Sequence, residues 1–231
     1  LPKVAHQVAD RAMVAWVVDA VRDAGAERIV LVVGHGADIV RSIFEGASDV
    51  EFAIQDEQLG TGHATLCAEP LLRDFEGDVL VLAGDGPLLR RRTIDAMHER
   101  HLETGAAATL ATSIVDDPTG YGRVVRDDQG RFAAIVEQKN ANDEQRAIRE
   151  IYPSYACFDA PRLFAILRDL PRDEVSGEYY VTDVPQILRD AGAIVEIVDA
   201  VPPEDVLSIN TLEQLAEVDA ILRTRLEGVA T

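Results

Sequence analysis

The stretch VLVLAGDGPLL, residues 79–89, runs through four apolar positions without alternation and ends in a carboxylate, Asp85, held between two glycines ahead of Pro87. An unbroken run of valine and leucine marks a strand buried on both faces, as in sheets covered by helices on each side. In an open sheet of that kind, ligands bind outside the C-terminal ends of the strands. Asp85 stands at such an end. A carboxylate there suits Mg²⁺, which takes one or two protein oxygens plus phosphate and water; a turn or helix cap would use the same residue type.

Working outward, the same unit recurs. AMVAWVVDAVRDAG (12–25) carries apolar residues at helical spacing and stops at Gly25, and RIVLVVGHG (28–36) follows as a buried strand. ADIVRSIFEG then VEFAIQ, and HATLCAEPLL then DVLVLAGD, repeat the pattern. The strands lie roughly 25 residues apart without hairpin turns, which predicts right-handed crossovers. After about residue 105 the segments close up: AATLATSIV, YGRVVRDDQGRFAAIVEQ and REIYPSYACF, with DDQG as a hairpin turn. Helices are predicted at 160–170 and 179–191, then a strand AIVEIVDA and a closing helix from Leu212 to about Leu226. The expected fold is α/β, a doubly wound, mostly parallel, Rossmann-like sheet with a smaller mixed lobe.

Composition limits the partners. A formal charge of −19 over 231 residues excludes nucleic acid and an anionic membrane surface as partners, since both require a cationic patch. The run Arg90-Arg91-Arg92 reads as a solvated helix entry. No apolar run approaches the roughly 18 to 20 residues that span a bilayer. Cys67 and Cys157 are too few and too far apart for a disulfide framework or a metal knuckle, and they read as reduced core residues of a cytoplasmic protein.

The strand-end rule selects four loops: Gly34-His35-Gly36, Gln58 to His63, Gly84-Asp85-Gly86 and Thr119 to Gly122. GHGADI is not a dinucleotide fingerprint, because Ile39 occupies the third glycine position. QDEQLGTGHA (55–64) sets Gly60 and Gly62 around Thr61 where a strand passes into a helix, so backbone N–H groups and a helix N-terminus face a ligand. An ordinary capped turn would look alike. His63 reads as packing on that helix rather than as a base. DDPTGYGRV (116–124) leaves backbone bare for a sugar or phosphate, and IVEQK (135–139) ends with Glu137 and Lys139, an acceptor beside a donor.

In order, LPKV, EQLGTGHA, GDGPL, DDPTGYGRV, IVEQKNANDEQRAIREI, GEYYVTD and SINTLEQLAEV resemble the uridyltransferase domain of the bacterial bifunctional N-acetylglucosamine-1-phosphate uridyltransferase/glucosamine-1-phosphate acetyltransferase family, over essentially the whole chain. The resemblance implies a nucleotide-diphospho-sugar transferase fold and transfer of a uridylyl group from UTP to N-acetylglucosamine 1-phosphate, giving UDP-N-acetylglucosamine and pyrophosphate, with Mg²⁺ as cofactor. It implies a nucleotide-binding part at 1–105, a sugar-binding lobe at 106–200 and a closing helix at 201–231. By position, Lys3 contacts the triphosphate as the catalytic cation, and Gln55, Gln58, Gly60, Thr61 and Gly84 surround the nucleotide. Gly122, Glu137, Tyr152 and Thr182 line the sugar side, and Asp85 and Asn210 hold the metal.

The departures carry expectations too. The family's first segment, an apolar strand leading to a glycine-rich loop with a catalytic arginine, is absent, as is the acetyltransferase half. The chain is therefore expected to be an inactive fragment lacking the N-terminal strand. Tyr152-Pro153-Ser154 stands where the family typically has Asn followed by a small pair ending in glycine, Ala83 replaces an aromatic residue or Ser, and Gly86 replaces a larger residue. These changes bear on which sugar 1-phosphate is accepted.

Overall fold

In a computed structural model of the chain, residues 1–207, 209 and 211–229 are described. A 3-10 turn at Lys3–Ala5 leads into a small hairpin, β1 (Gln7–Val8) and β2 (Arg11–Ala12). Then come α1 (Met13–Asp23), β3 (Ile29–Val33), α2 (Ala37–Ile43), β4 (Val50–Ile54), α3 (Thr61–Cys67), β5 (Asp78–Leu82) and α4 (Arg91–Thr104). The second half holds β6 (Ala108–Ile114), the hairpin β7 (Gly122–Arg126) and β8 (Phe132–Val136), a single turn α5 (Asp143–Arg146) and β9 (Glu150–Asp159). It closes with α6 (Ala160–Arg168), α7 (Val184–Asp190), β10 (Val195–Asp199) and α8 (Leu212–Val229).

The α/β architecture is as expected, but the sheet is mixed rather than mostly parallel. Among the described residues, parallel pairing is confined to β3 with β4 and β6 with β10. The long strand β9 enters antiparallel and becomes the spine. Cys157 faces both Leu80 of β5 and Thr109 of β6, while Ile151 faces both Ser113 of β6 and Arg123 of β7. β6 therefore runs along one edge of β9, and β5 and β7 share the other. Among the described residues no ladder joins the β3–β4 pair to this larger sheet; they are joined by packing, in a core that includes Val14, Val18, Ile29, Val33, Ile94 and Met97.

Where β9 changes partner from β7 to β5 its register against β6 slips. Tyr155 faces Ala111 and Ile151 faces Ser113, so residues 152–154 oppose Thr112 alone. A bulge of this kind bends a strand and re-aims its side chains. Ser154, within it, has φ +67°, and its carbonyl accepts from the Ala83 N–H at 3.0 Å. The fork between β5 and β7 opens at this point, and the fork makes the site.

Two cores flank the sheet: α1 and α4 cover one face, and α6 and α7 with Phe132, Tyr152 and Phe158 fill the other. A third cluster seats Val8 and Met13 against Val218 and Leu222 of α8. The Ala9 N–H donates to Asp219 at 2.7 Å and Arg223 pairs with Asp10, so the closing helix holds the N-terminal hairpin beside the strand ends.

Candidate active site

Beyond β5 the chain turns through Ala83-Gly84-Asp85-Gly86-Pro87. β5, partly buried along its whole length rather than fully buried as the apolar run predicts, fixes the start of this turn, and the bond from Ala83 to Ser154 fixes its direction. Asp85 emerges half-exposed, and Lys3 Nζ lies 2.7 Å from its Oδ2. Gly84 packs with ordinary clearance against Val4, next to Lys3. Gly86 has a sharper reason to be glycine, because a Cβ there would fall inside the contact distance of the Tyr155 hydroxyl. The larger residue usual at that place and the tyrosine exclude each other.

A cavity of about 180 Å³ opens at the fork and is lined by Asp85, Gly122, Glu137, Tyr152, Ser154 and Thr182, among others. The four residues expected on the sugar side thus meet the expected metal carboxylate in one space. Thr182 Oγ1 donates to Glu137 Oε1 at 3.0 Å, which orients that carboxylate. A Cβ on Gly122 would stand 2.8 Å from Ile135 and 3.9 Å from Glu137, so glycine keeps this wall open. Burial above all, and then the charge of Glu137, drives the Tyr152 hydroxyl far above the ordinary phenol range; burial and then Asp85 do the same for Tyr155. Both phenols stay protonated at physiological pH and stand as neutral hydrogen-bonding groups in the cavity lining.

The nucleotide loop lies beside this cavity. Gln55 follows β4, where its N–H donates to the Val33 carbonyl at 2.8 Å, and its amide reaches the Gly60 carbonyl at 3.1 Å and His63 Nδ1 at 3.0 Å. His63 is thereby engaged as a structural partner, in agreement with its reading as a packing residue. Gln58 lies close to Gly34, on the facing strand-end loop. Gly60 has φ +99°, and a Cβ there would sit 2.5 Å from the Tyr179 carbonyl. That approach is forced because Tyr179 and Tyr180 run along the loop before a 3-10 turn at Val181–Asp183. Gly62 N–H donates to Tyr179 at 2.7 Å, Tyr179 N–H to Leu59 at 2.8 Å, and Val181 N–H to Thr61 Oγ1 at 3.1 Å.

These bonds explain a difference from the sequence reading: the helix predicted from residue 179 opens instead with a 3-10 turn at Val181–Asp183 and becomes α7 at Val184, because Tyr179 spends its backbone groups on the loop. They also carry the loop to the cavity, since Val181 precedes Thr182. Gln55, Gln58, Gly60 and Thr61 form one cluster that flanks the cavity without lining it. Lys139 turns away to Tyr180, its ammonium 4.7 Å from the ring centre, so Glu137 faces the cavity without its expected neighbour. Asn210 lies outside the described residues.

Several residues of the cavity wall were not named as candidates from the sequence, although Tyr121 falls inside the selected loop Thr119 to Gly122. Tyr121, Tyr155 and Asp205 line the cavity. Asp205 is buried and paired with Arg90 at 2.5 Å and with Arg225, so the first arginine of the basic run serves a carboxylate at the site wall. Arg123 is 1% exposed; it donates to the Tyr121 carbonyl and to Gln138 Oε1, stiffening the loop before Gly122. The glycines flanking Tyr121 were a signal for that residue, whereas Tyr155 and Asp205 become visible only through long-range register.

The arrangement is an oxygen-rich cavity with a carboxylate and an ammonium at its mouth and a glycine loop alongside, suited to handling phosphate esters through a divalent cation. Comparison with known proteins agrees. Residues 2–174 match the MobA-like NTP transferase domain. The bifunctional protein GlmU of Brevibacillus brevis is 46% identical over 226 residues, covering 98% of this chain and 49% of the relative. That of Pelotomaculum thermopropionicum is 46% identical over 225 residues, covering 97% and 49%. The chain thus spans about half the length of these relatives. The crystal structure of a UDP-glucose pyrophosphorylase complexed with UDP-glucose superposes with a TM-score of 0.74 at 16% identity, covering 97% of this chain and 91% of that one, which shows a shared fold. These matches bear out the resemblance drawn from the motifs: the chain belongs to the MobA-like NTP transferase domain family.

Proposed function

We propose that the chain transfers a uridylyl group from UTP to the phosphate of N-acetylglucosamine 1-phosphate, giving UDP-N-acetylglucosamine and pyrophosphate. One observation carries the reading: Asp85 shares a single cavity with Gly122, Glu137, Tyr152 and Thr182, and the Gln55–Thr61 loop flanks it. The identity with GlmU relatives points to the same sugar nucleotide. A sugar phosphate oxygen forms a bond to the α-phosphorus of UTP as the bond to the bridging oxygen breaks, and pyrophosphate leaves with that electron pair. The nucleophile is already ionised, so no general base is required, and positioning with charge neutralisation does the catalysis.

The residues divide the task. The loop at Gln55, Gln58, Gly60 and Thr61, beside Gly84, seats the nucleotide; Glu137, oriented by Thr182, accepts from sugar hydroxyls; Gly122 leaves room for the ring. Lys3 places an ammonium where the triphosphate arrives. The half-exposed Asp85 carboxylate at a strand tip fits a hard cation, and Asp85, with Asn210 outside the described residues, would hold Mg²⁺, which when bound neutralises phosphate charge. No helix among the described residues is long and apolar enough to cross a membrane. A cytoplasmic site of action, where UTP is made, completes the reading.

A second reading keeps the reaction and changes the sugar. It rests on Tyr152, whose buried ring occupies the cavity wall where the family typically has Asn. The test is pyrophosphate release by the full-length gene product with UTP, Mg²⁺ and a panel of sugar 1-phosphates. Turnover with N-acetylglucosamine 1-phosphate above all others supports the first reading, and preference for another sugar supports the second. UTP binding without turnover on any sugar would reduce the protein to a nucleotide-sugar binder and overturn both.

A further inference from the structure

At the opposite end of β5 from Asp85, three strands and a helix converge on a cluster that nucleotidyl transfer does not use. Asp78 opens β5, and pairing of Leu80 with Cys157 puts Asp78, two residues earlier, on the same face of the sheet as Cys157. Thr109 of β6 faces Cys157 from the other side and shares that face. Across it lies α4, whose His98 and His101, three residues apart, point the same way. Donor atoms of Asp78, His101 and Cys157 all lie within 4.8 Å of one another. His98 Nε2 is 2.9 Å from Asp78 Oδ2, and His101 Nε2 is 3.4 Å from Asp78 Oδ1.

We propose that Asp78, His98, His101 and Cys157 form a second metal site, for a divalent cation of the zinc class. The donor set is one carboxylate, two imidazoles and one thiol, which selects zinc or cobalt(II) over the hard cations that suit Asp85. Bonds of about 2.0–2.3 Å in a tetrahedron put donor atoms about 3.3–3.8 Å apart. The His101–Asp78 separation already falls there; Cys157 lies within 4.8 Å of both, and His98, which touches Asp78 but stands outside that group of three, would complete the tetrahedron by turning its ring about the side-chain bonds. His101 Nδ1 is 3.0 Å from Thr109 Oγ1, the kind of outer hydrogen bond that fixes a metal-binding ring and leaves Nε2 for the ion. Cys157 and His101 are at most 3% exposed while the His98 side chain is 45% exposed, so the ion enters from the helix side. On binding, a metal–sulfur bond forms and the Cys157 thiol proton passes to water. The ion would tie α4 to β5 and β9.

The test uses the full-length protein, stripped with a chelator and titrated with Co²⁺ and then Zn²⁺. Expected are one equivalent of Co²⁺ with a thiolate-to-cobalt charge-transfer band, displacement by Zn²⁺ but not by Mg²⁺, and a higher melting midpoint with Zn²⁺. Cys157→Ser should abolish the band, and His98→Gln, a surface change that leaves the core intact, should weaken Zn²⁺ binding at least about tenfold. Absence of the band in the wild-type protein, its survival in Cys157→Ser, or unchanged Zn²⁺ affinity in His98→Gln would overturn the proposal. Mg²⁺-dependent pyrophosphate release, measured on the same samples, reports separately on the active site.

Discussion

Lys3 Nζ and Asp85 Oδ2 stand 2.7 Å apart, joining the first turn of the chain to the tip of β5. Both side chains are more than a third exposed, so the pair contributes little to stability, at most about 1 kcal/mol. On the proposed function its value is positional: the ammonium assigned to phosphate and the carboxylate assigned to the metal lie side by side. Asp85→Asn should therefore lower turnover at least about a hundredfold and leave the melting midpoint almost unchanged. Lys3→Ala should act chiefly through UTP. Steady-state pyrophosphate release and thermal denaturation of the same variants check both statements, and a large loss of stability would assign the pair a structural role instead.

Gly86 and Tyr155 make a second linked pair, across strands instead of charges. Gly86→Ala pushes a methyl group into the Tyr155 hydroxyl, an overpacking that should cost about 1–3 kcal/mol. Tyr155→Phe removes the oxygen and leaves the ring carbon about where an ordinary tight contact begins, at 3.1 Å. Gly86→Ala should then cost less in the Tyr155→Phe background, with a coupling of about 1 kcal/mol in a double-mutant cycle followed by urea denaturation. Simple additivity would mean that the two residues do not share the space.

Much of this site was legible in the sequence because it is local. An unbroken apolar run followed by Gly-Asp-Gly places a carboxylate at a strand tip, and Gly60 and Gly62 mark a loop that something approaches closely. The direction of β9 was not legible. Its apolar pattern suits either edge and either direction, and only its simultaneous pairing with β5, β6 and β7 makes it antiparallel. Tyr155 looks like one more strand residue until that register sets it over Gly86. Cys157 looks like a lone core thiol until the register sets it beside Asp78 and Thr109. The start of α7 failed for a related reason: the helical pattern at 179–180 is outweighed by backbone bonds joining Tyr179 to Leu59 and Gly62, which belong to a distant segment, and residues 181–183 form only a 3-10 turn before α7.

Ser154 holds φ +67° at the bulge, a region that costs a non-glycine residue about 1–2 kcal/mol. Glycine relieves that strain and returns about 0.5–1 kcal/mol of it through its greater unfolded-state freedom. Ser154→Gly should therefore stabilise the protein by about 0.5–1 kcal/mol in urea denaturation. Because Ser154 lines the cavity, its KM for the sugar 1-phosphate should be measured alongside. A stability gain with unchanged KM identifies the strain as a tolerated sequence drift, and a gain with a raised KM identifies it as part of the sugar site.

Asp183, next to Thr182, shows how burial at this site is linked to pH. Desolvation first, and then the charges of Asp173 and Glu137, raise its carboxyl pKa above the ordinary 3.8. The folded state therefore holds this proton more tightly than the unfolded chain does, and across the interval between the two values stability falls as pH rises. The favourable contribution is complete below about 3.8 and is lost once pH has passed the raised folded value, so at pH 7 the folded protein carries a desolvated charge. Asp183→Asn removes that charge at similar volume. The variant should melt above the wild type at pH 7, and the gap should narrow as the pH is lowered through the raised folded value and close below about 3.8, where both carry a neutral side chain. A gap that is constant with pH would assign the effect to a lost or gained contact, and a wild type that melts higher at pH 7 would show that the Asp183 carboxylate is stabilised by its surroundings.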